Sequence, residues 1–189
     1  MDKVIYALRD VTGTVSSIPL IASSIMSKKI ASGADKILID IKVGNGALLR
    51  TKKDAQKLSQ LMKRIGEIYN REVRTIISDM NTPLGYNIGN SLEVLEAMEI
   101  LQGKEKNNNL VDLCIELASE MVSMGKNISI NDAYMEVVEV IKNGSAYNKF
   151  LELVKHQKGK IDKLSLAPYR KLMKSKHKGT IKGINALEL

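Results

Sequence analysis

Three side chains near the amino end of the chain have the chemistry to hold a planar polar ring. Arg9 offers a flat fork of N–H donors, Lys28 a mobile positive charge, and the Ser24 hydroxyl donates or accepts a hydrogen bond. Ser24 and Lys28 are four residues apart, so a helix places them on one face. The set suits the oxygens and ring nitrogen of a pyrimidine base. A serine and a lysine at this spacing are more often a solvated helix face, so spacing alone leaves both interpretations open.

The residues around these three side chains match an ordered set of motifs. Residues 6–15 read Tyr-Ala-Leu-Arg-Asp-Val-Thr-Gly-Thr-Val, followed by Ser-Ile-Pro-Leu-Ile at 17–21 and Ser-Ile-Met-Ser-Lys-Lys at 24–29. In this order, the motifs resemble the signature of the pyrimidine-nucleoside and thymidine phosphorylases. The resemblance favours a base-binding site over a solvated helix face.

Two later blocks extend the resemblance. Residues 40–47 and 78–94 are similar to further blocks of the same enzymes, and the match covers most of residues 3–124. Gly13 is a departure, since the family usually has alanine there. Leu48 is another, because an aromatic residue commonly stands at that position, and we expect a looser wall on that side of the pocket.

The resemblance implies an α/β fold of the nucleoside phosphorylase and phosphoribosyltransferase type, with a parallel βαβ core preceded by a helical-domain segment. We expect residues 1–34 to belong to a helical domain that binds the base and dimerises. Residues 35–165 would form part of the α/β catalytic domain, and residues 166–189 a linker and the start of a C-terminal domain. In the related enzymes, which are more than twice as long, the substrate lies in the cleft between the first two domains. We therefore interpret the chain as an internal piece or truncated member of the family.

The same resemblance assigns roles to individual residues. Arg9 and Lys28 would contact the base oxygens and Ser24 the ring nitrogen. The apolar walls of the pocket would be formed by four further side chains, those of Tyr6, Val15, Ile21 and Ile25. Phosphorolysis moves a pentosyl group from the base to phosphate, and the base leaves with negative charge. Arg9 and Lys28 would be catalytic because they face the oxygens where that charge develops.

Inorganic phosphate is the co-substrate that the resemblance implies, and no organic cofactor is required. The family binds phosphate with a Lys-His-Ser-Thr-Gly-Gly loop, which would precede Met1. Residues 42–47, Lys-Val-Gly-Asn-Gly-Ala, follow a predicted strand but lack the spacing of a phosphate-binding P-loop. We predict that they form a structural turn.

Several family members hold an alkali cation with main-chain oxygens and one carboxylate. The matching positions are Leu84, Asn87 and Glu96, with asparagine where the family has alanine. Main-chain ligation tolerates such a change, but the remaining family ligands would precede Met1. The resemblance therefore implies a potassium site for which this chain supplies only part of the ligands.

The composition is that of an ordinary globular protein. Of the 189 residues, 44% are hydrophobic and 26% charged, with a net charge of +8. We expect a cytoplasmic protein without membrane or nucleic-acid partners, since it has no long apolar run, no Trp and one Phe. A lysine-rich tail explains the charge and contains His156 and His177, which we interpret as surface residues. Cys114 is the only cysteine, so no disulfide forms within the chain.

The apolar spacing predicts a βαβ unit followed by helices. A helix over residues 15–31 precedes a strand at 36–41, a helix from Thr51 to about Tyr69, and a strand at 73–78. Four more helices follow, over residues 91–101, 110–124, 131–142 and 146–157. We expect Met98, Met121 and Met135 to fill core gaps. After a linker, residues 169–189 would form one or two strands.

Two hypotheses for the function come from different classes. In the first, the chain is the base-binding half of a pyrimidine-nucleoside phosphorylase that acts on uridine, thymidine or deoxyuridine in salvage. The family enzyme would be a homodimer, active when the missing segments are supplied. In the second, the chain is a non-catalytic remnant that serves as a dimerising or pyrimidine-binding module. Phosphoribosyl transfer on the same fold fits less well, because the pattern of Arg9, Ser24 and Lys28 is specific to pyrimidines.

Overall fold

The computed structural model describes residues 2–104 and 108–189. Its contacts divide the chain into two compact units. One is Met1–Thr82 together with Asn185–Leu189, and the other is Pro83–Ile184. The domain boundaries implied by the resemblance, at residues 34 and 165, concern the domains of a longer enzyme and stay predictions.

The first unit is built around a parallel βαβ motif. Its elements are, in chain order, α1 (Asp2–Val11), α2 (Ile18–Ala31), β1 (Lys36–Val43), α3 (Lys52–Ile68) and β2 (Glu72–Asp79). The two strands pair without interruption from Lys36 opposite Glu72 to Val43 opposite Asp79. The α/β fold with a parallel βαβ core is thus confirmed.

The core of the first unit lies on one face of the sheet. Ile37, Ile39 and Ile41 alternate along β1 and are buried, as period-two side chains on one strand face should be. They form a single apolar cluster with residues of α2 and α3, among them Met26 and Met62, which are fully buried. The packing of α2 and α3 against β1 therefore fixes the position of α2.

Helix α3 begins where the sequence predicts. The Thr51 side chain accepts a hydrogen bond from the Asp54 N–H at 3.1 Å and donates to the Asp54 carboxylate at 2.7 Å. Leu58 is buried in the core, as expected from the helical spacing. Ile68, expected on the same side, is 69% exposed, because it occupies the last turn of the helix beyond the packed face.

The second unit is helical. It contains α4 (Asn90–Leu101), α5 (Asn109–Lys126), α6 (Ile130–Lys142), α7 (Ser145–His156) and a short 3-10 helix (Ile161–Lys163). All four α-helices agree with the sequence prediction within two residues at each end.

The methionines of the second unit only partly follow the expectation. Met98 is buried, but Met121 and Met135 are 62% and 67% exposed, so neither fills a core gap. Helical spacing predicts core positions for both, but it does not show which face of α5 or α6 is covered.

Residues 164–189 contain no helix or strand, although the sequence predicts a strand or two from residue 169. The apolar residues there are mostly exposed, Tyr169 at 93% and Ile181 at 78%. A strand needs a partner for its main-chain hydrogen bonds, and none pairs with this segment in the described part of the chain. The strand prediction is therefore wrong for the chain as it stands.

Candidate functional site

Helices α1 and α2 of the first unit bring four polar or charged side chains together. Tyr6 and Arg9 are three residues apart on α1, and Ser24 and Lys28 are four apart on α2, so each pair shares a helix face. The Ser24 hydroxyl donates to the Tyr6 hydroxyl oxygen at 3.2 Å. The Arg9 guanidinium carbon lies 5.3 Å and the Lys28 Nζ 4.9 Å from the centre of the Tyr6 ring. We call these four residues the Tyr6 cluster.

The sequence predicts only one of the two helices that carry the cluster, the helix over residues 15–31. Arg9 lies on α1, which the sequence analysis did not predict, while Ser24 and Lys28 lie on α2. The available signal for this helix was the helical spacing of its apolar residues, which are exposed in the structure. Val4 and Leu8, for example, are 65% and 56% exposed.

Arg9 is held from one side by the main chain. Its side chain is 6% exposed, and Nη2 donates to the Val15 carbonyl at 2.6 Å and to the Thr14 carbonyl at 3.5 Å. The guanidinium therefore interacts with carbonyl groups just beyond the carboxyl end of α1, where a cation is favoured. Its Nε is buried and has no hydrogen-bond partner among the described residues.

The predicted apolar walls have different environments. Tyr6 is 43% exposed, and Val15 is half-buried and contributes its carbonyl to Arg9. Ile21 is buried within the core cluster, and Ile25 packs against that cluster. Core packing accounts for Ile21 and Ile25 without a ligand, so their roles as pocket walls stay predictions.

The turn after β1 is closed by its own hydrogen bonds. Gly44 N donates to Leu49 O at 3.1 Å, Gly46 N to Met80 O at 2.8 Å and Ala47 N to Gly44 O at 3.1 Å. Between them, the N–H of residue 45 donates to the side chain of residue 81 at 3.1 Å. A phosphate cradle needs N–H groups that point at the ligand. The four N–H groups of this turn already have acceptors, so the turn does not provide such a cradle.

The close approach of two loops explains the first glycine of this turn. Gly44 has φ of +134°, and a Cβ there would lie 2.7 Å from the main-chain nitrogen of Asn81. Both the conformation and the space exclude a larger residue. The glycine therefore serves the packing of the two loops at the carboxyl ends of β1 and β2.

The three predicted potassium positions lie in the second unit, around a buried carboxylate. Glu96 is 3% exposed and accepts hydrogen bonds from Tyr86 N at 2.8 Å, Asn87 N at 3.2 Å and Asn108 Nδ2 at 3.3 Å. These donors compensate the burial of the charge. Leu84 belongs to the same loop but makes no hydrogen bond to Glu96. Asn108 was not found from the sequence, because it lies outside the matched family positions.

A second group of polar side chains, on β1 and β2, was not predicted from the sequence. Ser78 Oγ donates to Asp40 Oδ1 at 2.5 Å, and Lys42 Nζ forms an ion pair with Asp40 and lies 3.0 Å from Ser78 Oγ. These residues project from the face of the sheet opposite the isoleucine core, as their alternation with Ile39 and Ile41 requires. The alternating Asp-x-Lys pattern was the available signal. Because Lys42 is paired with a carboxylate, its charge is already compensated.

The remaining candidate groups are unremarkable in position. His156 and His177 are exposed, as predicted, and the Cys114 thiol is exposed too. Across the described residues, no group of three or more His, Cys, Asp or Glu side chains is arranged to hold a metal ion. None of the helices found there is both long and apolar enough to cross a membrane.

Helices α1 and α2, which carry Arg9, Ser24 and Lys28, precede a parallel βαβ unit, so the chain is an α/β protein. The family model described as "Glycosyl transferase family, a/b domain" matches residues 1–147, and the chain belongs to this family.

Curated relatives specify the class further. The chain is 47% identical to the pyrimidine-nucleoside phosphorylase of Bacillus subtilis and 46% identical to that of Staphylococcus epidermidis, in both cases over the whole chain and 45% of the relative. It is 51% identical to the enzyme of that name from Staphylococcus aureus, over 84% of the chain and 36% of the relative. The chain therefore spans about half the length, or less, of the curated relatives it matches. The family resemblance found in the sequence is confirmed.

Proposed function

We propose that the chain is the base-binding part of a pyrimidine-nucleoside phosphorylase, which cleaves uridine, thymidine or deoxyuridine with phosphate in nucleoside salvage. The observation that supports this most directly is the Tyr6 cluster. Three residues that the family motif assigns to the base, Arg9, Ser24 and Lys28, all contact the side chain of Tyr6.

The proposed mechanism follows from the charges in the cluster. As the glycosidic bond breaks, the base gains negative charge on its oxygens. The Arg9 guanidinium and the Lys28 ammonium would attract this charge more strongly in the transition state than they attract the neutral nucleoside, so they would lower the barrier. Ser24 would orient the ring through its nitrogen. Phosphate would be bound by residues outside this chain, consistent with the internally closed turn at residues 44–47.

The first test is a calorimetric titration of uracil into the purified chain. We expect Arg9→Ala to weaken the affinity by roughly ten- to a hundredfold, the cost of losing a hydrogen bond from a charged donor. Lys28→Ala is expected to weaken it similarly. Lys29→Ala is the matched control, since Lys29 is the next residue on α2 and is exposed outside the cluster. Equal affinities for wild type and Arg9→Ala would contradict the proposed site.

The second test concerns catalysis. The chain is mixed with a polypeptide corresponding to the remaining part of the Bacillus subtilis relative, and phosphate-dependent release of uracil from uridine is measured. We expect release from the mixture and none from the chain alone. Release by the chain alone would show that it binds phosphate itself, and no release from a mixture that binds uracil would favour a non-catalytic module.

A further inference from the structure

We infer that Tyr6 is a positioning residue, which holds the side chains of Arg9, Ser24 and Lys28 in fixed positions relative to one another, rather than only an apolar wall of the pocket. The inference rests on the proposed function, because it concerns the residues proposed to bind the base. It comes from the three contacts that meet at this side chain, two on its ring and one on its hydroxyl group.

The ring of Tyr6 brings two positive charges to one place. Both cationic groups lie within about 6 Å of the ring centre, the range in which the negative face of an aromatic ring attracts a cation. Arg9 and Lys28 repel each other because both are positive. The ring offsets part of this repulsion, so it favours the arrangement in which both cations face the same ligand.

The hydroxyl group of Tyr6 fixes the third member of the set. Ser24 Oγ donates to it at 3.2 Å, which links α2 to α1 by a side-chain hydrogen bond. With its proton directed at Tyr6, the Ser24 oxygen is left as an acceptor, which suits the N–H of a pyrimidine ring. Tyr6 therefore sets the hydrogen-bonding polarity of Ser24 as well as its position.

Arg9 and Tyr6 also differ in how tightly they are held. Arg9 is held by its hydrogen bond to the Val15 carbonyl, whereas Tyr6 is 43% exposed and open to a ligand. A ligand that contacts the cations must therefore come close to the ring. This makes the electron density of the ring, and not only its shape, a determinant of affinity.

The test replaces Tyr6 by phenylalanine and by mono-, di- and trifluorinated phenylalanine, which keep the shape of the ring and withdraw charge from its face. We expect uracil affinity to fall stepwise with each fluorine, to a total of roughly three- to tenfold, the range of a cation–π contact at a partly exposed site. Tyr6→Leu should lose about tenfold, while Tyr6→Phe, which keeps the ring but not the hydrogen bond with Ser24, should recover only part of that loss. Tyr69→Leu, at an exposed tyrosine of the same unit, is the control.

A spectroscopic measurement tests the geometry without a ligand. The Tyr6 ring current should shift the NMR signals of the Lys28 side-chain methylene groups upfield, and Tyr6→Leu should remove the shift. Unshifted signals in the wild-type chain, or the same affinity across the fluorinated series, would overturn the inference. If Arg9→Ala also leaves uracil affinity unchanged, the proposed function fails with it. If Arg9→Ala weakens binding and the fluorinated series is flat, only the role of Tyr6 is wrong.

Discussion

Glu96 joins three separate pieces of backbone through one buried carboxylate. Its donors come from the loop at residues 86–87 and from Asn108, whose Oδ1 also accepts from Leu110 N at 2.8 Å at the start of α5. Gly85 completes the fit, because a Cβ there would overlap Glu96 Oε2. Each carboxylate oxygen has two lone pairs, so these hydrogen bonds leave capacity for a cation. The potassium site stays a prediction, but the structural role of Glu96 is already evident.

Replacing Glu96 should destabilise the second unit. Glu96→Ala removes the acceptor of three hydrogen bonds, from Tyr86 N, Asn87 N and the buried Asn108 side chain, which we expect to lower the free energy of unfolding by about 2–4 kcal/mol. Glu96→Gln keeps one oxygen and should cost roughly half as much. Urea unfolding followed by circular dichroism measures both variants. Glu99→Gln, at an exposed residue of the same helix, is the control, and an unchanged midpoint for Glu96→Ala would contradict the expected role.

The same variants test potassium. If Glu96 contributes to a cation site, wild type should melt at a higher temperature in potassium chloride than in choline chloride at equal ionic strength. Glu96→Gln should lose that difference, because it removes the charge that pairs with the cation. Equal melting temperatures of wild type in the two salts would show that this chain does not hold the ion by itself.

At the level of elements, the start of α3 is fixed by a local interaction. The hydrogen bond from the Thr51 hydroxyl lowers the pKa of the Asp54 carboxyl below its ordinary value. A lowered pKa contributes stability above the ordinary value, and this contribution is lost as the pH falls through the folded-state pKa. Thr51→Ala removes the side-chain cap of α3 and should destabilise the chain by about 1 kcal/mol near neutral pH. Because the carboxylate contribution is lost in acid, the difference from wild type should shrink below about pH 4.

Thermal unfolding of the two proteins across a pH series measures this effect. Thr51→Ser keeps a hydroxyl group and should behave like wild type at every pH. A difference between wild type and Thr51→Ala that stays constant down to the acid limit would show that the carboxylate of Asp54 plays no part in the cap.

The elements that could be predicted from the sequence are those whose signal is local. The cap at Thr51, the alternating isoleucines of β1 and the apolar spacing of α5 depend on residues close in sequence, and the structure confirms all three elements. Helix α1 has a local signal of the same kind, apolar residues at helical spacing, although it was not predicted. The strands expected after residue 169 were wrong because a strand depends on a partner that its own residues do not specify.

The candidate site, too, could be predicted from the sequence only in part. Its residue types and their spacing were visible in the sequence, and the family motif named Arg9, Ser24 and Lys28. That the three meet at the ring of Tyr6 was not visible, because contacts between α1 and α2 depend on the packing of both helices. The donors to Glu96 were hidden for a similar reason, since Asn108 is twelve residues away along the chain.

The whole molecule exposes an apolar stripe on α1. Val4, Ile5, Leu8 and Val11 recur at helical spacing and are between 50% and 83% exposed. Exposed stripes of this kind favour association, and the family resemblance implies a homodimer. We expect the purified chain to self-associate as its concentration rises, measured by sedimentation velocity, and Leu8→Glu to shift it toward the monomer.

Leu153→Glu provides the matched control, because Leu153 is a comparably exposed leucine, at 52%, on α7 of the other unit. This substitution adds the same charge and leaves the sequence of α1 unchanged. A chain that remains monomeric at every concentration, or a control that dissociates it equally well, would contradict self-association through the α1 stripe.

The position of Tyr6 gives the molecule a built-in optical probe. The chain has six tyrosines and no tryptophan, so its ultraviolet emission comes from phenol groups alone. Tyr6 is the tyrosine that lies beside two cations and a hydroxyl donor. A pyrimidine arriving there would quench its fluorescence, which makes occupancy of the cluster measurable in dilute solution without any label.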